Sequence, residues 1–358
     1  MIPTFRHIHP KFKFNGIHYN FGDLQELAYS LVKEGMDFEK AIGNFLLDWL
    51  DDFDNLEVRT SGSTGTPKVI TLKKEYMVSS ALATGSFFKM GPGTKALQCL
   101  SADYIAGKMM LVRALALGWE LDTVEPSSNP LQCISKCYDF AAMVPMQVQG
   151  SISHLNYIST LIIGGAALSP ELKSDLGKVE TQLFETYGMT ETITHIAVKE
   201  IAKDTEDGNF KALPEVFLSR DHRDCLVIEA PKVSDTIIVT NDLVNLISPT
   251  EFQWLGRYDN VINSGGVKLI PEQLESKMSV LIKSRFFVAG IPDAFLGQKL
   301  VLVVEGNMDR NQLSQEIKSL NTISKFEIPK EIFSVPKFEE TGSGKVNRPE
   351  TLALLNLL

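Results

Sequence analysis

Short apolar strands that alternate with helical segments constrain the fold of this chain more than any other feature. The strand Leu161-Ile162-Ile163 ends at the pair Gly164-Gly165, and a helical segment follows at 170–176 before the next strand at 182–186. A strand, a helix and a second strand in this order form a βαβ unit, in which the two strands run parallel. We therefore predict an α/β fold with a mostly parallel sheet.

Similar segments fill the chain before Ala197. Apolar residues recur at helical spacing over 22–50, where Gly35 predicts a break, and over 74–88 and 107–117. Further short segments predict strands at 57–60, 69–72, 96–100 and 139–144.

After Ala197 the pattern changes. Short strands predict a small β-rich subdomain, at 227–229, 236–240 and 243–247. Beyond Gly256 the mixture predicts a smaller α+β domain of about one hundred residues, with strands at 286–290 and 300–305 and helices at 271–282 and 311–319. We expect a large N-terminal domain at 1–257 and a mobile C-terminal domain at 258–358.

Composition argues against several classes of protein. With 44% hydrophobic and 22% charged residues among 358, the chain can bury a core without metals or disulfides. The net charge of −9 argues against a general nucleic-acid binder, which needs a basic face. The four cysteines form no CxxC pair, which argues against zinc. We find no signal peptide and no apolar run near the ~18 residues that cross a membrane, so we expect a cytoplasmic protein without a membrane span.

The loop 60–68 suits an anion, since it combines hydroxyl side chains with two glycines and a lysine: Thr60, Ser61, Gly62, Ser63, Thr64, Gly65, Thr66, Pro67 and Lys68. Glycines let backbone N–H groups turn toward a ligand, hydroxyls add donors, and the lysine adds a positive charge. The loop lacks the Gly-Lys-Ser/Thr ending of a Walker loop. We interpret it as a polyphosphate clamp; a solvated turn is the alternative.

A second polar segment, Tyr187-Gly188-Met189-Thr190-Glu191-Thr192, follows the strand at 182–186. It offers an aromatic face for a base, a hydroxyl donor for a phosphate, and a carboxylate, which is a hard oxygen ligand for a hard cation such as Mg²⁺. The alternative is a loop with a helix cap, because Thr190 and Glu191 are good capping residues.

Segments along the whole chain resemble, in order, the motifs of the adenylate-forming superfamily, which includes acyl-CoA synthetases, luciferases and the adenylation domains of peptide synthetases. They are the loop 60–68, Gly-Gly-Ala-Ala at 164–167, the segment 187–192, Val-Thr-Asn-Asp at 239–242, the segment 256–269, and Thr-Gly-Ser-Gly-Lys-Val-Asn-Arg at 341–348.

The resemblance implies how the base and the phosphates of ATP would be bound. The turn with Gly164, Gly165 and Ala166 matches the one that lies against the adenine, and Tyr187 matches the residue that stacks on it. Gly188, the next residue of the same motif, is counted with the cofactor-binding residues. Thr190 matches the residue that bonds the α-phosphate, and Glu191 matches the one that helps to hold Mg²⁺. The loop 60–68, with Lys68, would hold the pyrophosphate.

The resemblance also implies a ribose site. Asp242 would accept hydrogen bonds from both ribose hydroxyls, and Arg257 would contact ribose and phosphate. The family usually has glycine where this chain has Asn241. Asn tolerates left-handed geometry better than most residues, so we expect that the backbone turn can still form there.

In the family the reaction has two halves, and the C-terminal domain moves between them. Lys345 matches the lysine that promotes adenylate formation from ATP and a carboxylic acid. Asp259 matches the hinge residue, and Gly265 and Gly266 match the loop that lines the tunnel for the acceptor thiol, which we expect to be that of coenzyme A.

The identity of the acid is less constrained. The loop at 60 lies early for the superfamily, so we expect a shortened first subdomain, as in the o-succinylbenzoate–CoA ligases of menaquinone biosynthesis. Tyr104, Lys108 and His195 would border the acid, with Lys108 as counter-charge for a second carboxylate. The alternatives are a helix-surface lysine and plain helix packing of His195.

Three other functions stay open. The chain could act on another aryl or fatty acid, it could load a carrier protein, or it could be a degenerate relative that only binds nucleotide. The presence of Thr190, Glu191, Asp242, Arg257 and Lys345 argues against the last.

Overall fold

The computed structural model describes residues 4–59, 69–201, 208–340 and 346–357. The predicted phosphate loop 60–68 and the predicted catalytic Lys345 lie outside these ranges. The helices are α1 Phe21–Glu34, α2 Asp37–Leu50, α3 Lys74–Phe88, α4 Ile105–Leu117, α5 Pro145–Gly150, α6 Pro170–Leu176, α7 Pro271–Met278, α8 Arg310–Ser319 and α9 Arg348–Leu354.

The strands are interspersed with these helices along the chain. They are β1 Lys13–Phe14, β2 Ile17–His18, β3 Asn55–Arg59, β4 Val69–Lys73, β5 Lys95–Gln98, β6 Glu120–Thr123, β7 Tyr138–Met143, β8 Ile158–Ile163, β9 Gln182–Gly188, β10 His195–Glu200, β11 Phe210–Ala212, β12 Phe217–Arg220, β13 Cys225–Glu229, β14 Ile238–Ser248, β15 Glu251–Arg257, β16 Ile262–Ser264, β17 Val267–Leu269, β18 Phe286–Asp293, β19 Gly297–Glu305 and β20 Glu331–Val335.

One sheet of thirteen strands dominates the fold, in the order β12-β13-β14-β15-β11-β10-β9-β8-β7-β5-β6-β1-β2. From β9 to β1 all neighbouring strands run parallel. From β9 to β12, and between β1 and β2, they run antiparallel. The α/β prediction is confirmed. The predicted β-rich segment is hydrogen-bonded into this sheet as its antiparallel end.

The central strands are buried on both faces, as the apolar runs predict. Side chains alternate along β7 and β8: Phe140 and Ile162 join the apolar cluster that contains α1 to α4, whereas Ala141 and Leu161 join the cluster that contains α5 and α6. The helices therefore cover the sheet on both sides. The predicted break between the first two helices is also confirmed, because α1 ends before Gly35.

Residues beyond Ile262 build a second sheet, in the order β17-β16-β19-β18, with β20 parallel to β19. Their buried side chains form apolar clusters of their own, which contain residues 262–352. The clusters around the large sheet contain residues 5–252. This partition supports the proposed boundary after residue 257, which stays a prediction.

One local prediction is wrong. The strands predicted at 236–240 and 243–247 form the single strand β14, and Asn241 does not have the positive φ that a left-handed turn needs. The pairing with β13 slips instead: Val227 faces Val239, but Cys225 faces Leu243. A β-bulge of this kind takes up the extra residues without reversing the chain.

Within the described residues, no helix is long and apolar enough to cross a membrane.

Candidate functional site

The predicted Gly-Gly turn lies at the carboxyl end of β8, between this strand and α6. Gly165 has φ +86°, which favours glycine, and a Cβ on Gly164 would lie 2.4 Å from Thr186 Oγ1 on β9. Thr186 donates to Ile163 O at 3.1 Å and so ties the ends of β8 and β9 together. Parallel α/β sheets bind ligands at the carboxyl ends of their strands. The turn is therefore placed where a ligand can approach the backbone.

Tyr187, near the end of β9, packs against aromatic side chains and has one polar partner. Its ring centroid lies 5.8 Å from that of Phe210 and 5.1 Å from that of Phe252. Its hydroxyl donates to Asp242 Oδ2 at 2.7 Å. Burial, and then the negative charge of Asp242, raise the pKa of Tyr187. The phenol therefore keeps its proton and acts as a hydrogen-bond donor.

Asp242 on β14 collects donors from three directions. It is 6% exposed, and Trp254 Nε1 donates to its Oδ1 at 3.1 Å in addition to the bond from Tyr187. Arg257 pairs with Asp242 across β14 and β15, and its Nη1 lies 3.6 Å from Asp242 Oδ1. The structure thus brings together Tyr187, Asp242 and Arg257, which the sequence analysis selected from three separate segments.

Asn241, the departure from the family's glycine, holds the predicted hinge residue. Its Nδ2 donates to both carboxylate oxygens of Asp259 at 3.2 Å. Its Oδ1 accepts from Arg223 Nη1 at 2.9 Å, and Arg257 Nη2 donates to Asp259 Oδ2 at 3.1 Å. Sequence reasoning missed Arg223, whose guanidinium also lies 5.1 Å from the centre of the Tyr258 ring. No motif marked this arginine.

Thr190 and Glu191 lie in a 3₁₀ turn, Thr190–Thr192, directly after Gly188. Thr192 closes the turn by accepting from Met189 N at 3.0 Å, and Glu191 is exposed. Ile193 follows with φ 66° and ψ −62°, and Thr194 N donates to Thr192 O at 2.7 Å. These values describe a γ-turn of the strained kind, rare for a β-branched residue. Such strain is concentrated at functional sites.

The donor set fits Mg²⁺ carried by a nucleotide better than a metal held by protein alone. In the described part of the chain no group of three or more His, Cys, Asp or Glu residues could hold a metal. Mg²⁺ is commonly held by one or two carboxylates together with substrate phosphates. The exposed Glu191 carboxylate can supply such a ligand.

Of the residues expected to border the acid, Tyr104 and Lys108 lie at the start of α4. Tyr104 is the N-cap of the helix and is 58% exposed. Lys108 is 9% exposed, so the helix-surface alternative is wrong. Its ammonium lies 5.1 Å from the ring centre of Phe45 on α2. Burial lowers the pKa of Lys108, and Asp48 and Asp103 oppose this shift.

His195 begins the strand β10, so the alternative of helix packing is wrong as well. It is 4% exposed, and its Nε2 lies 3.4 Å from Thr84 Oγ1. Its Nδ1 lies 3.4 Å from Nη2 of Arg113, which the sequence analysis did not select. Burial, and then the Arg113 charge, lower the pKa of His195 well below its ordinary value, so the imidazole is neutral.

Gly265 and Gly266 form the turn between β16 and β17, with φ values of +59° and +83°. The backbone N–H of Gly265 donates to Leu296 O at 2.9 Å, which fixes the turn against the loop between β18 and β19. Positive φ at both positions explains why the turn has two glycines. The predicted role in lining a thiol tunnel stays a prediction.

Comparison with known families and curated proteins adds an independent finding. Residues 59–216 match the family described as "AMP-binding enzyme". The 2-succinylbenzoate–CoA ligase of Escherichia coli K12 is 24% identical over 306 residues, which are 81% of this chain and 66% of that protein. The enzyme of the same name from Salmonella typhimurium is 26% identical over 350 residues, 90% of this chain and 75% of that protein.

Solved structures agree with these relatives. The acyl-CoA synthetase (AMP-forming)/AMP-acid ligase II-like protein from Dyadobacter fermentans is 36% identical and has a TM-score of 0.62, with 92% of this chain and 98% of that chain covered. The O-succinylbenzoate coenzyme A synthetase from Bacillus subtilis, in complex with ATP and magnesium, is 20% identical with a TM-score of 0.69, with 82% of this chain and 69% of that chain covered. At that identity the similarity concerns the fold.

Proposed function

Because the chain belongs to the AMP-binding family of adenylate-forming acid–CoA ligases, we propose that it converts o-succinylbenzoate to its CoA thioester through an acyl-adenylate, as a step of menaquinone biosynthesis in the cytoplasm. The observation that carries the nucleotide part is the cluster of Tyr187, Asp242 and Arg257, joined at 2.7 and 3.6 Å. The choice of acid is supported by relatives named 2-succinylbenzoate–CoA ligase at 24% and 26% identity.

The residues of the cluster have complementary tasks in this proposal. The Tyr187 ring packs against the adenine, and Asp242 accepts the ribose hydroxyls, which a carboxylate can do with either oxygen. Arg257 adds positive charge beside the ribose and phosphate. Thr190 donates to the α-phosphate, and Glu191 holds Mg²⁺. The metal supplies neutralisation of the phosphate charge, which is a main requirement of chemistry at phosphorus.

The remaining parts of the proposal rest on the family resemblance. Lys68 and the other polar residues of the loop 60–68 hold the pyrophosphate. Lys345 bridges the substrate carboxylate and the α-phosphate, where charge develops as the bond forms. The C-terminal domain, residues 258–358, then turns about Asp259, and Gly265 and Gly266 meet the incoming thiol of coenzyme A.

A substrate panel tests the proposed function. Pyrophosphate release is measured with ATP, Mg²⁺ and coenzyme A in the presence of o-succinylbenzoate, benzoate or a fatty acid. We expect turnover with o-succinylbenzoate and little with the other two. Turnover of benzoate or a fatty acid instead would favour the alternative ligases, and ATP binding without pyrophosphate release from any acid would favour the nucleotide-binding relative.

A second test measures the two half-reactions separately in the variant Lys345→Ala. We expect this variant to lose adenylate formation but to keep thioester formation from a supplied acyl-adenylate, since the lysine acts only in the first half. Lys330 is an exposed lysine of the same region, so Lys330→Ala serves as control. Equal loss of both halves in Lys345→Ala would contradict the role of this lysine.

A further inference from the structure

Arg113 on α4 is a buried cation with neutral partners. Its side chain is 1% exposed. Nε donates to Thr84 Oγ1 at 3.4 Å, Nη2 lies 3.4 Å from His195 Nδ1, and Nη1 donates to Met110 Sδ at 3.6 Å. A guanidinium has five N–H donors and stays charged at neutral pH. These three long contacts go to a hydroxyl, an imidazole and a thioether, so none of them brings a negative charge.

No carboxylate of the described residues forms an ion pair with Arg113. Burial of an unpaired charge is strongly unfavourable, so buried cations are normally found beside an anion. The neutral His195 leaves the charge of this cluster uncompensated. The cluster of Thr84, Arg113 and His195 therefore has the composition of a site for an anion that the chain itself does not supply.

This cluster adjoins the proposed adenylate site. His195 pairs with Gly188 across β10 and β9. A Cβ on Gly188 would lie 2.2 Å from Thr194 O and 2.5 Å from His195 Cα, so the two backbones are in direct contact. Gly188 separates Tyr187, proposed to hold adenine, from the turn with Thr190. The turn with Thr190, proposed to hold the α-phosphate, is thus joined through Gly188 to the strand that carries His195.

Lys108, the counter-charge expected from the sequence, has different neighbours from those of Arg113. Its ammonium lies over the Phe45 ring on α2, and the carboxylates of Asp48 and Asp103 act on it. It therefore has negative neighbours within the chain, which Arg113 does not have among the described residues. The geometry favours Arg113 for an external anion.

We propose that Arg113, steadied by Thr84 and His195, binds the carboxylate of o-succinylbenzoate that is not adenylated, and so makes the enzyme selective for a dicarboxylate. This inference rests on the proposed function, since it concerns the acid pocket of the same reaction. A monocarboxylic acid would leave the guanidinium buried without an anion, whereas the dicarboxylate compensates its charge.

Matched substrates separate this role from a structural one. The kcat/KM of wild type, Arg113→Met, Arg113→Lys and Lys108→Met is measured with o-succinylbenzoate and with two analogues that each lack one of its two carboxylates. We expect Arg113→Met to reduce kcat/KM for the dicarboxylate by about 10- to 100-fold, the usual effect of losing a charged hydrogen bond. Turnover of whichever analogue is still adenylated should be nearly unchanged. Arg113→Lys should be intermediate, and Lys108→Met should keep the wild-type preference.

The analogue also reports whether a variant is folded, because its turnover needs the nucleotide site. Equal losses for dicarboxylate and analogue, or no loss for either, would overturn the role of Arg113 while the proposed function stands. If Arg113→Met does not fold, the same comparison is made with Arg113→Lys, in which an unchanged ratio of the two substrates overturns the proposal. A wild-type enzyme inactive toward o-succinylbenzoate would contradict the proposed function, and this inference with it.

Discussion

At the scale of single residues, Asp242 shows how one buried carboxylate organises a site. Its two oxygens together offer about four acceptor positions, and Tyr187, Trp254 and Arg257 already direct donors at them. Tyr187 and Trp254 donate at 2.7 and 3.1 Å, whereas Arg257 at 3.6 Å lies beyond hydrogen-bond distance, so about two positions stay open for the two ribose hydroxyls. Nucleotide binding at this site is therefore expected to add hydrogen bonds to the carboxylate.

The variant Asp242→Asn tests this residue. It removes the negative charge and places an amide donor among donors, so we expect affinity for ATP with Mg²⁺ to fall about 10- to 100-fold, as for the loss of a charged hydrogen bond. Calorimetric titration measures the change. Asp37→Asn, whose carboxylate on α2 is fully exposed, is the control. Wild-type affinity in Asp242→Asn would show that the ribose is bound elsewhere.

His195 predicts how stability depends on pH. Its folded-state pKa lies well below the unfolded value near 6.5, so below that pH the unfolded chain takes up a proton that the native chain does not. The stabilisation is complete above pH 6.5 and is lost as the pH falls, by about 1.4 kcal/mol per pH unit.

Urea unfolding at pH 7.5 and 5.5 measures this effect. We expect the wild-type free energy of unfolding to fall by more than that of His195→Asn, with a difference of about 1.4 kcal/mol. His222→Asn, a change at an exposed histidine, should behave like wild type. The idea fails if His195→Asn and wild type lose the same free energy between the two pH values.

At the scale of elements, α4 is the helix that carries both cations considered for the acid, Lys108 and Arg113. Every residue from Gly107 to Ala116 is buried, so the helix has a neighbour on each side. Gly107 lets its first turn approach the preceding loop: a Cβ there would lie 2.1 Å from Ser101 O. That contact is with backbone, which cannot rotate away, and so it sets the position of Lys108 and Arg113 on the same helix.

Gly107→Ala should therefore destabilise the protein although alanine is the better helix former by ~1 kcal/mol. We expect a net loss of about 1–3 kcal/mol in the free energy of unfolding, because the loop or the helix must shift. Gly91→Ala is the matched control, since a Cβ there meets nothing within 4 Å. An unchanged or raised stability of Gly107→Ala in urea unfolding would contradict the close approach.

Periodicity was sufficient to predict much of the fold because apolar spacing reports directly on burial. The bounds of α3 and α6 match their predictions. The continuity of β14 was not predictable, because a bulge and a turn have the same residue preferences. Arg113 carries a usable signal, because it is the single charged residue of the apolar run 109–117 in α4. Its partners Thr84 and His195 come from distant segments, and pairing of that kind is set by the fold.

At the scale of the whole molecule, the buried side chains fall into two sets divided near residue 257. The clusters of the large sheet stop at Phe252, and those of the second sheet start at Ile262. Side-chain hydrogen bonds tie the segment between them to β14, through Asn241 and Asp259. The two sets can therefore melt separately if the proposed domains are independent.

Calorimetry of paired core variants tests this division. Leu161→Ala truncates the core of the large sheet and Val303→Ala that of the second sheet, where both side chains are fully buried. Truncation of a buried aliphatic side chain costs about 2–5 kcal/mol for Leu, and less for Val. We expect two unfolding transitions, and each variant should lower the midpoint temperature of a different one. ATP with Mg²⁺ should raise the midpoint temperature of the transition that Leu161→Ala lowers. A single transition whose midpoint temperature both variants lower would contradict the division into two domains.

The thirteen-stranded sheet also has a consequence for the order of events as the chain folds. Asp242 and Trp254 are 12 residues apart and meet within the β14–β15 hairpin, whereas Lys13 must find Glu120 across 107 residues to add β1 to β6. Closing a longer loop costs more entropy, so local pairings form sooner than distant ones. We expect the proposed ribose site to be assembled early in folding, and the far edge of the same sheet to join last.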